Sequence, residues 1–303
     1  MRRSTTFAGT ENSVGTEKSV DSTSPLNGRR ALLVAVFLME MVAATVLLWK
    51  AAPPPVSPRV PPPTPPSAAS PGPVAPPDPV TSIPLPDGRS AALLALGGPH
   101  APALLQRLGA ELPDAVAAVD AFWGPDWPQH IEIAVAGSDQ QFRVLAGGAA
   151  DIAATTTAQR IMFAPGAAQM SPAALRIVLR HELFHYAARA QTAPDAPRWL
   201  TEGVADFVGR PAAARPGPAS AATLAQLPAD ADLDTPGAAR SLAYDRAWWF
   251  TRYVADTHGT STLRELYQRA CGPDHSDVAT AVRQTLGADL DAVLVGWQHW
   301  LTG

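Results

Sequence analysis

The chain holds a single cysteine, Cys271, so no intramolecular disulfide can form and a zinc site built from thiolates is excluded. Cys271 itself reads as a structural thiol near a helix end. Lysine is scarce too, with none after Lys50. From residue 87 onward 16 arginines face 22 aspartates and glutamates, a net charge of −6 within a chain of net charge −4. No basic stripe crosses that stretch. Nucleic-acid binding is excluded on this ground, because phosphate contacts need clustered positive charge. Two further stretches lack the apolar periodicity of a core. Residues 1–28 are polar throughout, and residues 51–86 contain 16 of the 32 prolines. Neither can offset the entropy of ordering it. No internal repeat is present.

What is present begins with the run ALLVAVFLMEMVAATVLLW at 31–49, flanked by Arg29, Arg30 and Lys50. About 19 mostly apolar residues match the hydrocarbon thickness of a bilayer. Glu40 interrupts them at a cost of about 2–3 kcal/mol, which the surrounding Leu, Val and Phe offset. A cleaved signal peptide is the competing reading, but its apolar region is normally shorter and its leader is not as long as this one. Arg2, Arg3, Lys18, Arg29 and Arg30 precede the run, whereas only Lys50 and Arg59 follow closely. Positive charge stays in the cytoplasm. The organisation expected is therefore a disordered cytoplasmic tail (1–30), a single-pass transmembrane helix (31–49), a proline-rich linker (50–86) and an extracytoplasmic domain (87–303). The linker, unable to pack as helix or sheet, is a stiff spacer of about 110 Å if fully extended.

The domain is expected to be α+β, a small mixed sheet followed by a mainly helical part. A helix is predicted at 111–124, a strand at 130–135 and a helix capped by Ser138. Short strands at 152–157 and 160–163 flank a turn. Helices then follow at about 172–190, 198–209, 243–257, 262–270, 276–285 and 288–301.

The chemistry concentrates in SPAALRIVLRHELFH, residues 171–185. Ser171 and Pro172 supply an N-cap and a proline at the first helical position. Leu175, Val178, Leu179, Leu183 and Phe184 make the helix apolar enough to be buried. His181 and His185, four apart, project from one face about one turn apart. That spacing suits two imidazole nitrogens at ~2.0–2.1 Å from one zinc ion. Glu182 sits beside such a metal without reaching it, where it can take a proton from the attacking water. A surface helix with incidental histidines is the plain alternative; the apolar flanks argue against it, since buried polar groups need partners.

A catalytic metal site needs a third protein ligand. The segment WLTEGVADF at 199–207 reads as a second short apolar helix, with Glu202 as the natural third ligand. Asp206, one turn on, can accept a ring N–H from a ligating histidine. Gly203 is expected to let this helix approach the first closely. A solvated helix face is a poor account of Glu202 and Asp206 amid Leu200, Val204 and Phe207.

HELFH followed by WLTEGVADF resembles the gluzincin zinc metallopeptidases of the peptidase MA-like group. The second segment is similar to the W-L-x-E-G stretch of the zinc aminopeptidases, and Glu202 with Asp206 is similar to the thermolysin pattern. The resemblance covers about residues 171–209. It implies a zincin-like fold, Zn2+ held by His181, His185 and Glu202, Glu182 as general base, and Asp206 as partner of a ligand histidine. A peptide or protein substrate is implied with them. Only 16 residues separate His185 from Glu202, so the connection must be tight. The G-x-M-E-N segment by which aminopeptidases hold a substrate terminus is missing, which points to endopeptidase action. In these families a strand beside the cleft pairs with extended substrate, and 152–157 or 160–163 could do so here.

Catalysis also wants a donor for the developing oxyanion. Tyr244, expected at the start of a helix, is one candidate, and equally a core-capping aromatic; His258 is a second, more simply read as a helix-end residue. Trp248, Trp249, Phe250, Tyr253 and Val254 have core spacing, as do Trp297 and Trp300. His100, His130, His275 and His299 lack ligand spacing. The competing functional reading is a catalytically silent module that binds or senses envelope proteins with a peptidase fold. Glu182 favours the enzyme, because a binding module has no need of a base.

Overall fold

The structure, a computed structural model, describes residues 81–147 and 151–303. The predicted tail, the transmembrane helix at 31–49 and the linker as far as residue 80 lie outside the described residues. None of the described helices is long and apolar enough to cross a membrane.

A small mixed sheet is followed by a mainly helical part. Thr81–Pro84 (β1) pairs antiparallel with Ser90–Leu96 (β2). This hairpin straddles the expected linker boundary: residues 81–86 belong to the fold, and Leu85 is buried. Only Pro84 falls within β1, and an edge strand tolerates a proline there. The β2 segment SAALLAL does not read as a strand, since Ala and Leu favour helix. Pairing on both sides, with β1 and in parallel with His130–Ala136 (β3), overrides that preference. The crossover between β2 and β3 is one helix, Ala101–Trp123 (α1), which starts ten residues before the predicted 111. Pro113 lies inside it. A mid-helix proline costs about 3 kcal/mol. Here one buried stripe runs past it on both sides, from Leu104, Leu105 and Leu108 to Leu112, Val116, Val119 and Phe122.

Asp139–Ala146 (α2) begins as expected at Ser138, whose side chain accepts from Gln141 N–H. Ala154–Thr156 (β4) and Ile161–Phe163 (β5) form an antiparallel hairpin, and β5 runs parallel to β3. The strand order is β1-β2-β3-β5-β4, so β4 lies at one edge. Helices follow at Pro172–Ala188 (α3), Arg198–Gly209 (α4), Pro218–Leu224 (α5), Asp230–Asp234 (α6), Ala238–His258 (α7), Thr260–Cys271 (α8), Val278–Leu286 (α9) and Leu290–Thr302 (α10). The short α5 and α6 carry no periodicity by which sequence could find them.

The main core lies between the sheet and the helices. There α1 packs on α3, α3 on α4, and α4 on α7. Phe122, Trp123, Phe184 and Tyr267 meet edge to face at its centre. Trp248, Trp249, Phe250, Tyr253, Val254 and Trp297 are buried, as their spacing predicts, and so is Cys271.

Candidate metal centre

Helix α3 starts where its sequence dictates: Ser171 accepts from Ala174 N–H at 3.2 Å, and Pro172 follows. Three ties then hold it. Arg176 forms a two-point pair with Glu111 of α1 at 2.7 and 3.0 Å. The Tyr186 hydroxyl donates to the carbonyl of His130 at 2.7 Å. Thr156 of β4 donates to Glu182. Helix α4 lacks a capping side chain of its own, because Pro197 precedes it. Asp230 of α6 supplies the cap from outside, accepting from the N–H groups of Arg198 and Trp199 at 3.1 and 2.9 Å.

These two helices bring His181, His185 and Glu202 together. His181 Nε2 lies 3.1 Å from His185 Nε2 and 3.1 Å from Glu202 Oε2, and His185 Nε2 lies 3.6 Å from the same oxygen. Four donors around an ion at ~2.0–2.1 Å are separated by tetrahedral edges of about 3.3–3.4 Å. The three observed distances bracket that value. Asp206 Oδ1 accepts from His181 Nδ1 at 3.0 Å, which leaves Nε2 of the neutral ring bare and turned to the cluster. Two imidazole nitrogens and a carboxylate oxygen converging in this way repel one another unless a cation or proton lies among them. The donor set fits one divalent metal ion.

The side chains are 13–21% exposed, so the cluster is mostly shielded from solvent. Without metal, burial disfavours the charge on His181, but its hydrogen bonds to Asp206 and Glu202 prevail and hold its pKa well above the ordinary histidine range. Burial likewise pushes Glu202 up, yet the neighbouring His185 and the hydrogen bonds of both histidines hold it well below the usual carboxylate range.

A cleft of about 570 Å³ opens over the cluster, lined among others by His181, Glu182, His185, Glu202, Tyr244 and the β4 residues Ala154, Thr155 and Thr156. Glu182 is buried and points to the cleft, its Oε2 accepting from Thr156 Oγ1 at 2.7 Å. Tyr244 has its ring centroid 6.3 Å from that of His181. It lies in the second turn of α7, which starts at Ala238 and not near residue 243. Burial, then the negative charge of Glu202 and Asp206, raises its pKa, so the hydroxyl keeps its proton and can only donate to an anion. His258 is exposed at the far end of α7 and does not line the cleft.

Sequence reasoning missed Thr156, Arg210 and Asp245. Arg210 contacts Asp206 Oδ2 at 2.6 Å and Asp245 Oδ1 at 2.7 Å. It thereby ties the carboxylate behind His181 to the helix that carries Tyr244. Arg210 stands four residues beyond Asp206, and that spacing was the available signal. Thr156 had none beyond its place on a predicted strand. One expectation was misassigned. A Cβ on Gly203 would meet Ala247 O at 2.8 Å, so Gly203 serves the contact of α4 with α7. The close approach of α4 to α3 is made at Gly209, where a Cβ would meet Ile177 O at 2.9 Å.

No family model and no curated protein matches the chain. Among solved structures it is similar to a mutant M1 zinc metallopeptidase from Deinococcus radiodurans. The identity is 17%, the TM-score 0.44, and the match covers 73% of this chain and 52% of that one. The chain thus spans about half the length of that protein.

Proposed function

We propose that this chain is a zinc-dependent peptidase of gluzincin type, probing extended peptides along β4 and hydrolysing them with Glu182 as general base. The observation that carries this reading is the meeting of three metal-ligand atoms at 3.1–3.6 Å with a buried, non-ligating carboxylate beside them in one cleft. A zinc ion held by His181, His185 and Glu202 would polarise a substrate carbonyl and make water acidic enough to attack near neutral pH.

The chain's own residues supply the rest. Glu182, fixed by Thr156, takes the proton of the attacking water and passes it to the leaving amine. The Tyr244 hydroxyl, in the cleft beside His181, is a donor for the oxyanion. Asp206 fixes the His181 ring and is itself fixed by Arg210. Among the described residues β4 has a strand partner only in β5, so its outer edge is free to take an extended peptide as a further strand. The transmembrane helix at 31–49 and the proline-rich spacer would tether this cleft outside the cell membrane.

Glu182→Gln is the decisive variant. Glutamine keeps the size of the side chain but cannot take a proton. Stoichiometric zinc should remain bound, while cleavage of a peptide library falls by about 10²–10⁴-fold. Equal cleavage by both proteins overturns the mechanism. Zinc binding by the wild type without any cleavage favours a silent binding module instead.

A further inference from the structure

Beyond the metal cluster, one charge in the cleft has no counter-charge among the described residues. The cleft is lined by Arg189, Arg198 and Arg240. Arg198 is paired with Asp234 at 3.0 Å and Arg240 with Asp151 at 2.6 Å. Arg189 enters none of the ion pairs among the described residues, and its Nη1 is buried without a hydrogen-bond partner. Its guanidinium carbon lies 3.6 Å from the centre of the Tyr186 ring. Tyr186 is itself buried and anchored through its hydroxyl to the His130 carbonyl at 2.7 Å. Stacking on an immobile ring fixes a guanidinium while leaving its in-plane N–H groups for a planar anion.

The position is specific. Arg189 stands four residues beyond His185 at the end of α3, so its stem leaves the same helix face as the metal-ligand pair, about 5–6 Å further along. An extended peptide advances ~3.3–3.4 Å per residue. Arg189 lines the same cleft as the metal cluster, so a group held by it lies within a few residues of a bond over that cluster.

We propose that Arg189 is a specificity-determining subsite for a substrate carboxylate, taken within a few residues of the scissile bond. This rests on the peptidase reading and narrows it to peptides that carry an acidic side chain, or end in a free carboxylate, at that distance. The carboxylate accepts charge-assisted hydrogen bonds from the guanidinium N–H groups that face the cleft, and an amide of the same shape keeps at most an uncharged acceptor.

The test uses full-length zinc-loaded protein and matched peptides differing only as Glu against Gln at each position, each made with a free or an amidated carboxyl terminus. Two measurements are taken: cleavage by the wild type and equilibrium binding to Glu182→Gln. Charge-assisted hydrogen bonds of this kind correspond to about a ten- to hundredfold preference for the carboxylate peptide. Which pair shows it tells a side chain from a chain end. Arg189→Gln should abolish the preference and Arg189→Glu should invert it towards Lys, with zinc content kept. A merely helix-capping arginine would alter stability and leave the preference as it was. Cleavage without preference, or a preference that survives Arg189→Gln, overturns the subsite and spares the peptidase reading. Carboxylate-selective, Arg189-dependent binding without cleavage overturns the peptidase reading and keeps the subsite. Neither binding nor cleavage overturns both.

Discussion

The hydroxyl of Thr156 lies 2.7 Å from Oε2 of Glu182 and 2.9 Å from its main-chain carbonyl oxygen. One hydrogen thus serves two acceptors on the residue proposed as base, and it comes from the strand proposed to bind substrate. The strand and the base cannot move independently. Thr156→Val keeps the shape of the side chain and removes that donor. A hydrogen bond to a carboxylate contributes about 1.5–3 kcal/mol, so kcat should fall about ten- to a hundredfold. Zinc content should not change, since Thr156 touches no ligand atom. Thr156→Ser should restore most of the loss. If kcat survives and only KM rises, Thr156 belongs to substrate binding and not to positioning of the base.

Asp206 holds His181 at 3.0 Å and is in turn held by Arg210 at 2.6 Å. Removing a carboxylate behind a ligand histidine typically weakens metal binding by about 10–100-fold. Asp206→Ala should do so in competition with a chromophoric chelator, while Arg210 keeps Asp245 as its partner at 2.7 Å. Unchanged affinity would reduce Asp206 to a packing role.

The metal-free protein should depend on pH in a particular sense. His181 has a raised pKa in the fold, so its contribution to stability is complete below the ordinary value of 6.5 and is lost as pH rises through the raised one. Glu202 has a depressed pKa, so its contribution is complete above 4.5 and is lost as pH falls through the depressed value. Between 4.5 and 6.5 both are present. Zinc requires the neutral ring, so it competes with the proton on His181. Melting temperatures with chelator should decline on the alkaline side, and the gain on adding zinc should grow over the same range. A zinc-induced gain that shrinks with rising pH would contradict this coupling.

Most of the candidate site could be read from spacing alone, because its residues stand at fixed helical offsets. His181 with His185 and Glu202 with Asp206 each lie one turn apart on α3 and α4, and a local period determines which face they share. What could not be read was long-range. Thr156 reaches Glu182 across 26 positions, and Asp230 caps α4 from 32 positions away. No local pattern encodes either meeting. The fold divides in the same way. The strand at β3 and helices α3, α4 and α7 to α10 follow their periodicity, whereas β2 is a strand only because β1 and β3 flank it. Helix α1 begins at Ala101, ten residues before the predicted 111, and its buried stripe of Leu104, Leu105 and Leu108 continues through Leu112 past Pro113.

Gly203 and Gly209 allow the two sides of the site to be tested separately. An added methyl at Gly203 would meet the carbonyl of Ala247 at 2.8 Å and its Cβ at 3.1 Å, and neither atom belongs to a flexible side-chain end. Helix α7 must then shift away from α4, carrying Tyr244 with it and straining the bond from Thr251 Oγ1 to the Gly203 carbonyl, now 3.0 Å. An added methyl at Gly209 would instead meet Ile177 O at 2.9 Å and His181 N at 3.4 Å, which pushes α4 from the helix bearing both histidines. Overpacking of this kind costs about 1–3 kcal/mol, so both variants should melt several degrees lower. Their functional losses should differ. Gly203→Ala should lower kcat with zinc affinity largely kept, because Tyr244 moves and the α3–α4 contact does not. Gly209→Ala should weaken zinc binding first, because the distance between His181 and Glu202 is set on that side. Equal loss of zinc in both, measured by chelator competition at a temperature where each remains folded, would show that the two contacts do not act separately on the site.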